Sequence, residues 1–314
     1  ESVSVTISGV PNGAELSAGT DNGDGTWTLS ADDLSGLTIT PPSDSNEDFQ
    51  LGVSVTTTEA NGGDVTTTSG TLDVGVTGVA DTPTLVLSDG AGDEDTAIAL
   101  DVSSGLTDTD GSETLSVTIS DIPAGSVLTL GGETVELTLD EATGTYSADL
   151  GAADLSSLTI TPPEDFSGSF DLTVTSTSTE DDGDTASNVG TLTVDVAGVA
   201  DAAELETSSA SGSEDSAIAL SIDAGVTDPS ESLSITIDGI PDGAVLMSGG
   251  ESITITEGSA ELTADQLEGL TITPPADSND DFQLTVTATT TDGDDTTTTS
   301  GTLDVGVTGV ADTP

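Results

Sequence analysis

Acidic side chains are the residues of this chain that could do chemistry, and they recur in matched loops. The 314 residues include 59 Asp and Glu residues and no Lys, Arg or His. Residues 108–113 read DTDGSE, and residues 181–184 read DDGD. Alternate acids around a glycine leave several hard oxygen ligands on a tight curve, which suits Ca²⁺. The loops therefore predict calcium sites, although they are not EF-hands and no helices flank them.

The negative charge of the chain also favours bound calcium. Carboxylates held within several ångströms of one another without a counter-ion repel by about 1 to 4 kcal/mol per pair at a surface-like dielectric. The alternative interpretation is a solvated turn, because Asp and Gly favour turns for backbone reasons alone. Recurrence of the acids in equivalent loops favours calcium over that alternative.

The missing residue types exclude several functions. Without Cys or His the chain has no disulfide, no thiolate zinc site and no imidazole base. Without Lys or Arg it lacks the groups that bind nucleic-acid phosphates or an anionic bilayer. We therefore expect no enzyme, no nucleic-acid partner and no direct membrane insertion. Paired carboxylates could cleave glycosides, but no aromatic-lined cleft accompanies them.

Repeated motifs divide the chain into modules. GVAD and LTITPP each occur three times in the same order, at spacings that indicate domains rather than solenoid turns. Module 1 has no counterpart of residues 81–112, so its first two strands are expected to be absent or to come from a neighbour. The predicted limits are 1–80 for this partial module 1, 81–200 for module 2, 201–311 for module 3 and 312–314 for the start of a further linker.

The elements that must position the acids are β-strands. Val, Ile and Thr dominate, and apolar positions alternate with Thr and Ser, which is typical of half-buried strands. Short strands with frequent turns predict an all-β fold of tandem Greek-key β-sandwich modules, Ig-like or cadherin-like, arranged end to end. In module 2 the strands are predicted near residues 83–88, 96–103, 114–121, 126–130, 133–139, 144–149, 157–161, 168–180 and 188–198.

Strand direction sorts the acids into two poles of each sandwich. Because successive strands run in opposite directions, the linker, the loop at 108–113 and the last hairpin turn share the N-terminal pole of module 2. Module 3 repeats this arrangement with Asp201, Asp228, Glu231 and residues 292–295. The C-terminal poles are predicted to carry Glu94, Asp95 and Asp165 in module 2, Glu214, Asp215 and Asp281 in module 3, and Asp48 in module 1.

Four motifs together carry a resemblance to a known family. They are EDxAIAL at residues 94–100 and 214–220, the DTDGSE loop, LTITPP followed by Asp-Phe, and the GVAD linker. In this order they resemble the cadherin-like and Ig-like repeats of giant bacterial RTX adhesins and biofilm-associated proteins, which are exported by type I secretion. The resemblance covers the whole chain. It implies a secreted or cell-surface extender, stiffened by calcium at its junctions, that holds a ligand-binding tip away from the cell.

The resemblance also implies the metal ligands at each junction. In module 3, Pro229 and Ser230 stand where module 2 has Asp110 and Gly111, so fewer or weaker calcium ions are expected there. The absence of Lys and Arg is a second departure from the family. The implied ligands are Asp81, Asp108, Asp110, Glu113, Asp182 and Asp184 between modules 1 and 2, and Asp201, Asp228, Glu231, Asp292 and Asp294 between modules 2 and 3.

Three functions remain open. The leading hypothesis is a structural extender of a secreted bacterial adhesin or extracellular fibre, whose partners are the neighbouring modules of the same chain. The second is a filament subunit in which another copy of the chain donates the missing strands of module 1. The third is a calcium-dependent carbohydrate-binding module, which only Trp27 favours.

Overall fold

Strands make up almost all of the regular structure. The computed structural model describes residues 1–108, 110–151 and 155–311. In these ranges the helices are short 3₁₀ turns at Ala31–Leu34, Leu155–Ser157 and Ala264–Leu267. None of the described helices has the length and apolar character needed to cross a membrane. The predicted linker at 312–314, with Asp312, lies outside the described residues.

Module 1 combines a larger and a smaller sheet. Its strands are β1 Ser2–Ser8, β2 Glu15–Leu16, β3 Thr20–Asp21, β4 Thr26–Ser30, β5 Ile39–Thr40, β6 Phe49–Thr58 and β7 Val65–Val74. The larger sheet has the order β3-β4-β1-β6-β7, and β2 pairs with β5 in the smaller one. The long antiparallel hairpin of β6 and β7 leads into the first GVAD linker.

Module 2 has larger sheets. Its strands are β8 Thr84–Ser88, β9 Gly90–Asp93, β10 Ile98–Ala99, β11 Asp101–Gly105, β12 Glu113–Ile122, β13 Val127–Leu130, β14 Glu133–Thr134, β15 Thr138–Leu139, β16 Tyr146–Asp149, β17 Leu158–Thr161, β18 Gly168–Glu180 and β19 Thr185–Ala197. One sheet has the order β15-β16-β12-β18-β19-β9, a second β10-β17-β13-β14, and β8 pairs with β11. Strand β9 runs parallel to β19, while the other pairings are antiparallel.

Module 3 repeats this arrangement. Its strands are β20 Glu204–Ser208, β21 Ala210–Ser213, β22 Ile218–Ala219, β23 Ser221–Gly225, β24 Ser232–Asp238, β25 Val245–Ser248, β26 Glu251–Ser252, β27 Ser259–Leu262, β28 Thr271–Thr273, β29 Phe282–Asp292 and β30 Asp295–Thr308. The sheets have the orders β21-β30-β29-β24-β27 and β22-β28-β25-β26, and β20 pairs with β23. Strand β21 is parallel to β30, as β9 is to β19.

Alternation along the strands builds a separate core in each module. In β18 the side chains of Leu172 and Val174 are fully buried, whereas the intervening Thr173 is only partly buried. This period of two follows from the pleat, which sends successive side chains to opposite faces. Among the described residues, the buried apolar cluster holds 17 residues in module 2 and 19 in module 3, but 7 in module 1. Module 1 therefore has much the smallest core.

The predicted fold class is confirmed, because β-sandwich modules follow one another and no described sheet mixes strands from two modules. The module limits remain predictions. The single strand predicted at 133–139 was wrong, since two short strands, β14 and β15, occupy it and join different sheets. Strand β9 was missed because its sequence, GAGD, has neither β-branched residues nor alternation.

Candidate metal centres at the module junctions

The linker between modules 1 and 2 is held by acids of module 2. The backbone N–H of Asp81 donates to Glu113 Oε1 over 2.6 Å, and that of Ala80 donates to Asp184 Oδ2 over 3.0 Å. The Ser178 hydroxyl donates to the Asp81 carbonyl over 2.5 Å. The extended GVAD segment thus satisfies its own polar groups with loop and strand residues of the module that follows it.

These contacts assemble one acidic cluster, the Asp81 cluster, formed by Asp81, Asp108 and Glu113. One carboxylate oxygen from each lies within 4.8 Å of the others. Asp108 is 4% exposed and Glu113 is 6% exposed. Asp108 Oδ2 and Glu113 Oε2 are buried and accept no hydrogen bond. An unpaired buried carboxylate oxygen is costly, so the cluster fits a bound cation.

The second linker reproduces the same network with different residues. The backbone N–H of Asp201 donates to Glu231 Oε1, and that of Ala200 donates to Asp295 Oδ2 over 3.0 Å. The Thr290 hydroxyl donates to the Asp201 carbonyl, as Ser178 does at the first linker. Glu231 therefore takes the place of Glu113, and Asp295 takes that of Asp184.

The second junction adds acids from the preceding module. The Glu94 cluster consists of Glu94, Asp228 and Asp292, all buried, and the Asp95 cluster consists of Asp95, Asp165 and Asp201. Each cluster has a ligand atom from each residue within 4.8 Å of the others. Glu94 Oε1 accepts the backbone N–H of Val199 over 2.6 Å, while Oε2 is buried without a partner. Acids of modules 2 and 3 therefore converge, as the pole argument predicts.

Crowding and burial both disfavour the charged forms of these acids. Burial raises the pKa of Glu94, and the nearby charges of Asp292 and Asp228 raise it further. Burial likewise raises the pKa of Glu231, although a hydrogen bond from the Asp201 backbone opposes the shift. The pKa of Asp165 is raised first by desolvation and then by the charge of Asp228. A positive ion would reverse these costs.

Several predicted ligands lie outside the three clusters. Asp110 Oδ1 accepts the backbone N–H of Ser112 over 2.7 Å, and hydrogen bonds from Ser112 lower the pKa of Asp110. Asp182 Oδ1 accepts the backbone N–H of Asp184 over 3.1 Å, which shapes the hairpin turn. Asp294 is exposed in the equivalent turn. These residues remain predicted ligands, but the described contacts of Asp110 and Asp182 are those of turn residues.

The C-terminal pole of module 3 repeats the hydrogen bonds seen at the C-terminal pole of module 2, but its described acids form no cluster. Glu214 Oε1 accepts the backbone N–H of Val310 over 2.6 Å, as Glu94 accepts that of Val199. Asp215 Oδ1 accepts the backbone N–H of Asp277 over 3.2 Å, as Asp95 accepts that of Asp165. No cluster among the described residues includes Glu214 or Asp215.

The loop acids Asp48 and Asp281 have a different role from Asp165. Asp48 Oδ1 accepts the backbone N–H of Val76, and Asp281 Oδ1 accepts that of Val307, both over 2.8 Å. They fix the chain at the end of the long hairpin. In the loops that follow LTITPP, the residues equivalent to Asp165 (φ 56°) in left-handed backbone conformation are Asp44 (φ 60°) and Asp277 (φ 57°). The Asp-Phe motif matched Asp165 with Asp48 and Asp281, because each of them precedes a phenylalanine. In the structure Asp48 and Asp281 are equivalent to each other but not to Asp165.

Glu180 is the junction residue that the sequence did not reveal. It is 4% exposed, its pKa is raised by burial, and its Oε2 accepts the Asn46 side-chain amide of module 1 over 3.4 Å. A Cβ at linker residue Gly78 would lie 2.7 Å from its carboxylate carbon. Asp292 crowds Gly198 in the same way. The signal was in the register of β12 and β18, because Glu180 lies directly opposite Glu113.

No protein-family model and no curated protein matches the chain. Solved structures that align with 98% of it include cadherin extracellular domains. PcdhgB3 EC1-4 aligns at 14% identity with a TM-score of 0.38, over 67% of its own length. Mouse cadherin-23 EC22-24 aligns at 15% with a TM-score of 0.35, over 86% of its length. Protocadherin Gamma B2 extracellular cadherin domains 1-5 align at 15% with a TM-score of 0.38, over 53% of their length. Values this low assign neither a family nor a ligand.

Proposed function

We propose that the chain is a structural extender of an extracellular adhesin or fibre, in which Ca²⁺ at the junctions stiffens a row of β-sandwiches. The observation that supports this most directly is a set of buried carboxylate oxygens with no hydrogen-bond partner, close to the linkers. They belong to Glu94, Asp108, Glu113 and Glu231. In native structures such groups are almost always paired with protein, water or an ion.

The chain cannot neutralise these acids with its own side chains, since it contains no Lys, Arg or His. The counter-charge must therefore come from solution. Oxygen-only ligand sets, supplied by carboxylates on short loops, suit Ca²⁺ better than a soft transition metal. Bound Ca²⁺ would supply the positive charge that lets these acids stay together.

The two junctions would use such an ion differently. The Glu94 cluster takes Glu94 from module 2, and Asp228 and Asp292 from module 3. Binding there would connect the two sandwiches directly. The Asp81 cluster takes its ligands from the linker and module 2 alone, so binding there would fix the linker onto module 2. Module 1 contributes the hydrogen bond from Asn46 to Glu180 at that junction.

The finer assignment to bacterial RTX-type adhesins, with type I secretion and a cell-surface or secreted location, is supported by the motif resemblance.

Calcium sites of extracellular modules bind with dissociation constants of about 10⁻⁴ to 10⁻³ M. At 100 times that constant, each site stabilises the folded form by about 2.7 kcal/mol. For modules with few aromatic residues and small cores, this is a large part of the total stability.

A matched set of variants tests the proposal at the second junction. Glu94→Gln and Asp228→Asn remove cluster charge and keep a hydrogen-bond acceptor, while Asp242→Asn removes the same charge from an exposed turn residue of module 3 that is not a predicted ligand. In Ca²⁺ the wild type and Asp242→Asn should give a higher Tm and a stiffer profile in small-angle scattering than they give in chelator. The cluster variants should lose most of that difference.

Two results would overturn this proposal. One is an unchanged Tm and scattering profile when Ca²⁺ is replaced by chelator. The other is a loss of the calcium effect in Asp242→Asn as large as that in Glu94→Gln, which would indicate diffuse screening of charge rather than binding at the cluster.

A filament subunit assembled by strand donation is the second candidate. It is favoured by one observation, which is that the face of β7 in module 1 is exposed along most of its length. No comparable observation favours carbohydrate binding, since Trp27 is half-buried and packs against the core of module 1.

A further inference from the structure

Asparagine followed by glycine is the most reactive pair of residues in this chain, and all of its occurrences lie in module 1. They are Asn12-Gly13, Asn22-Gly23 and Asn61-Gly62. The other asparagines precede Glu, Val or Asp. An asparagine loses its side-chain amide when the backbone nitrogen of the next residue attacks the side-chain carbonyl carbon. Glycine has no Cβ to obstruct that attack.

The reaction balances with water as its only co-reactant. The deprotonated glycine nitrogen forms a bond to the asparagine Cγ, the Cγ–Nδ2 bond breaks, and ammonia leaves behind a cyclic succinimide. A water molecule then opens the ring. Cleavage of the ring bond to Cγ gives aspartate. Cleavage of the bond to the backbone carbonyl carbon gives isoaspartate, whose main chain runs through the side chain and is longer by a methylene group.

Asn12 lies in an exposed turn that requires the glycine after it. Gly13 has a φ of 91°, in the left-handed region that favours glycine. The backbone N–H of Ala14 donates to the Pro11 carbonyl over 3.1 Å and closes the turn. Among the described residues, the Asn12 side chain and the Gly13 N–H have no hydrogen-bond partner. The turn therefore leaves both reacting groups free.

Asn61 lies in the exposed turn between β6 and β7. Gly62 has a φ of 118°, and a Cβ there would meet no atom within 4 Å. Within the described part of the chain, the Asn61 side chain and the Gly62 N–H also lack a hydrogen-bond partner. The equivalent turn of module 2, residues 181–184, is exposed as well, although the first linker is hydrogen-bonded to it. Exposure is thus a property of this hairpin turn.

Asn22 has the same following residue but is held by the fold. Its Nδ2 donates to the hydroxyl of Thr26 over 2.9 Å and to that of Thr28 over 3.1 Å. The Gly23 N–H donates to Asp21 Oδ1 over 2.8 Å. Loss of that proton would leave a negative nitrogen beside a carboxylate, which is unfavourable. The hydrogen bonds therefore hinder both the attacking and the leaving nitrogen.

We propose that Asn12 and Asn61 are sites of spontaneous deamidation and that the fold protects Asn22. Each event converts a neutral amide into a carboxylate. The folded chain therefore gains negative charge at two exposed turns of module 1 as it ages. Modules 2 and 3 contain no Asn-Gly pair and keep their charge.

The two products at position 12 differ in how well they fit the turn. Asp242 occupies the equivalent position in module 3, where the Ala244 N–H donates to the Pro241 carbonyl over the same 3.1 Å. Aspartate therefore fits without rearrangement. Isoaspartate lengthens the backbone between Pro11 and Ala14 and displaces a segment whose Ala14 is buried in the core of module 1. The isoaspartate form should be the less stable one.

The test incubates the full chain at mildly alkaline pH, once folded and once in denaturant. A protease that cleaves after glutamate separates the three sites into peptides 2–15, 16–47 and 60–94, in which mass spectrometry measures conversion. In the folded chain, Asn12 and Asn61 should convert about 10-fold faster than Asn22 or more, as expected from the loss of a hydrogen bond to a charged group. In denaturant the three rates should become similar.

Two variants separate the turn from its surroundings. Asp242→Asn creates the same Asn-Gly pair in the equivalent turn of module 3 and should convert at a rate similar to that of Asn12. Asn12→Asp should leave the Tm of module 1 unchanged, as recorded by Trp27, the only tryptophan, which packs against that core. Aged chain enriched in isoaspartate at position 12 should melt at a lower temperature.

Three outcomes would overturn the proposal. They are conversion of Asn22 as fast as that of Asn12 in the folded chain, no conversion at Asn12 or at Asn61 in the folded chain, and equally slow conversion of Asn22 in denaturant. The last result would assign the protection of Asn22 to its local sequence. None of these measurements depends on the acidic clusters, so the calcium proposal is tested separately.

Discussion

Leu72 and Leu303 occupy the same position in the identical strings at 66–83 and 297–314. Replacing each of them tests whether the burial of a leucine, rather than its local sequence, sets its contribution to the free energy of unfolding. Leu303 is 0% exposed within the core of module 3, and truncation of such a leucine to alanine costs about 2 to 5 kcal/mol. Leu72 is 55% exposed, so less than half of its burial energy is at stake. Full burial of a leucine is worth about 1.5 to 3 kcal/mol, which limits the cost of Leu72→Ala to about 1 kcal/mol.

Calorimetry in chelator measures both variants, and Trp27 fluorescence identifies the transition of module 1. With a shift of about 4 °C per kcal/mol for a domain of just over 100 residues, Leu303→Ala should lower the transition of module 3 by about 8 to 20 °C. Leu72→Ala should shift that of module 1 by a few degrees.

The control pair is Thr71→Ala and Thr302→Ala, the outward-facing neighbours of the two leucines. Both changes should cost under about 0.5 kcal/mol, as surface substitutions usually do. Equal losses for Leu72→Ala and Leu303→Ala would refute the reasoning, because they would mean that both strands are covered in solution.

Two further predictions concern the second junction. In chelator, the Tm of the chain should rise as the pH falls from 7 toward 5. The raised pKa values of Glu94 and Glu231 mean that the folded chain binds their protons more tightly than the unfolded chain, so stability increases as the pH falls through the folded pKa and is fully gained below the ordinary value of 4.5. A Tm that falls over this range would contradict that assignment. Separately, Gly198→Ala should abolish most of the calcium-induced rise in Tm, because its Cβ would overlap the buried carboxylate of Asp292. Gly225→Ala, whose Cβ would meet no atom within 4 Å, serves as the control, and an equal effect of the two changes would exclude a specific role for Gly198.

The sequence alone determined the fold class and the region of the candidate sites. Alternation of apolar residues with Thr and Ser specifies strands, since side chains alternate across a pleated sheet. Because antiparallel strands reverse direction, loops that are far apart in sequence meet at one pole. Asp81 and Asp108 could therefore be brought together from the repeat pattern, as could Asp201 with its neighbours.

Only the tertiary structure decided which acid of each turn faces the junction. Glu180 and Asp295 contact the linkers, whereas Asp182 accepts a hydrogen bond within its own turn and Asp294 is exposed, because the contacts of each acid depend on where its strand ends and its turn begins. The burial of individual strands could not be predicted from the sequence either. The identical strings at 66–83 and 297–314 give one exposed strand and one buried strand, since burial depends on the segment that packs against a strand and not on the strand itself.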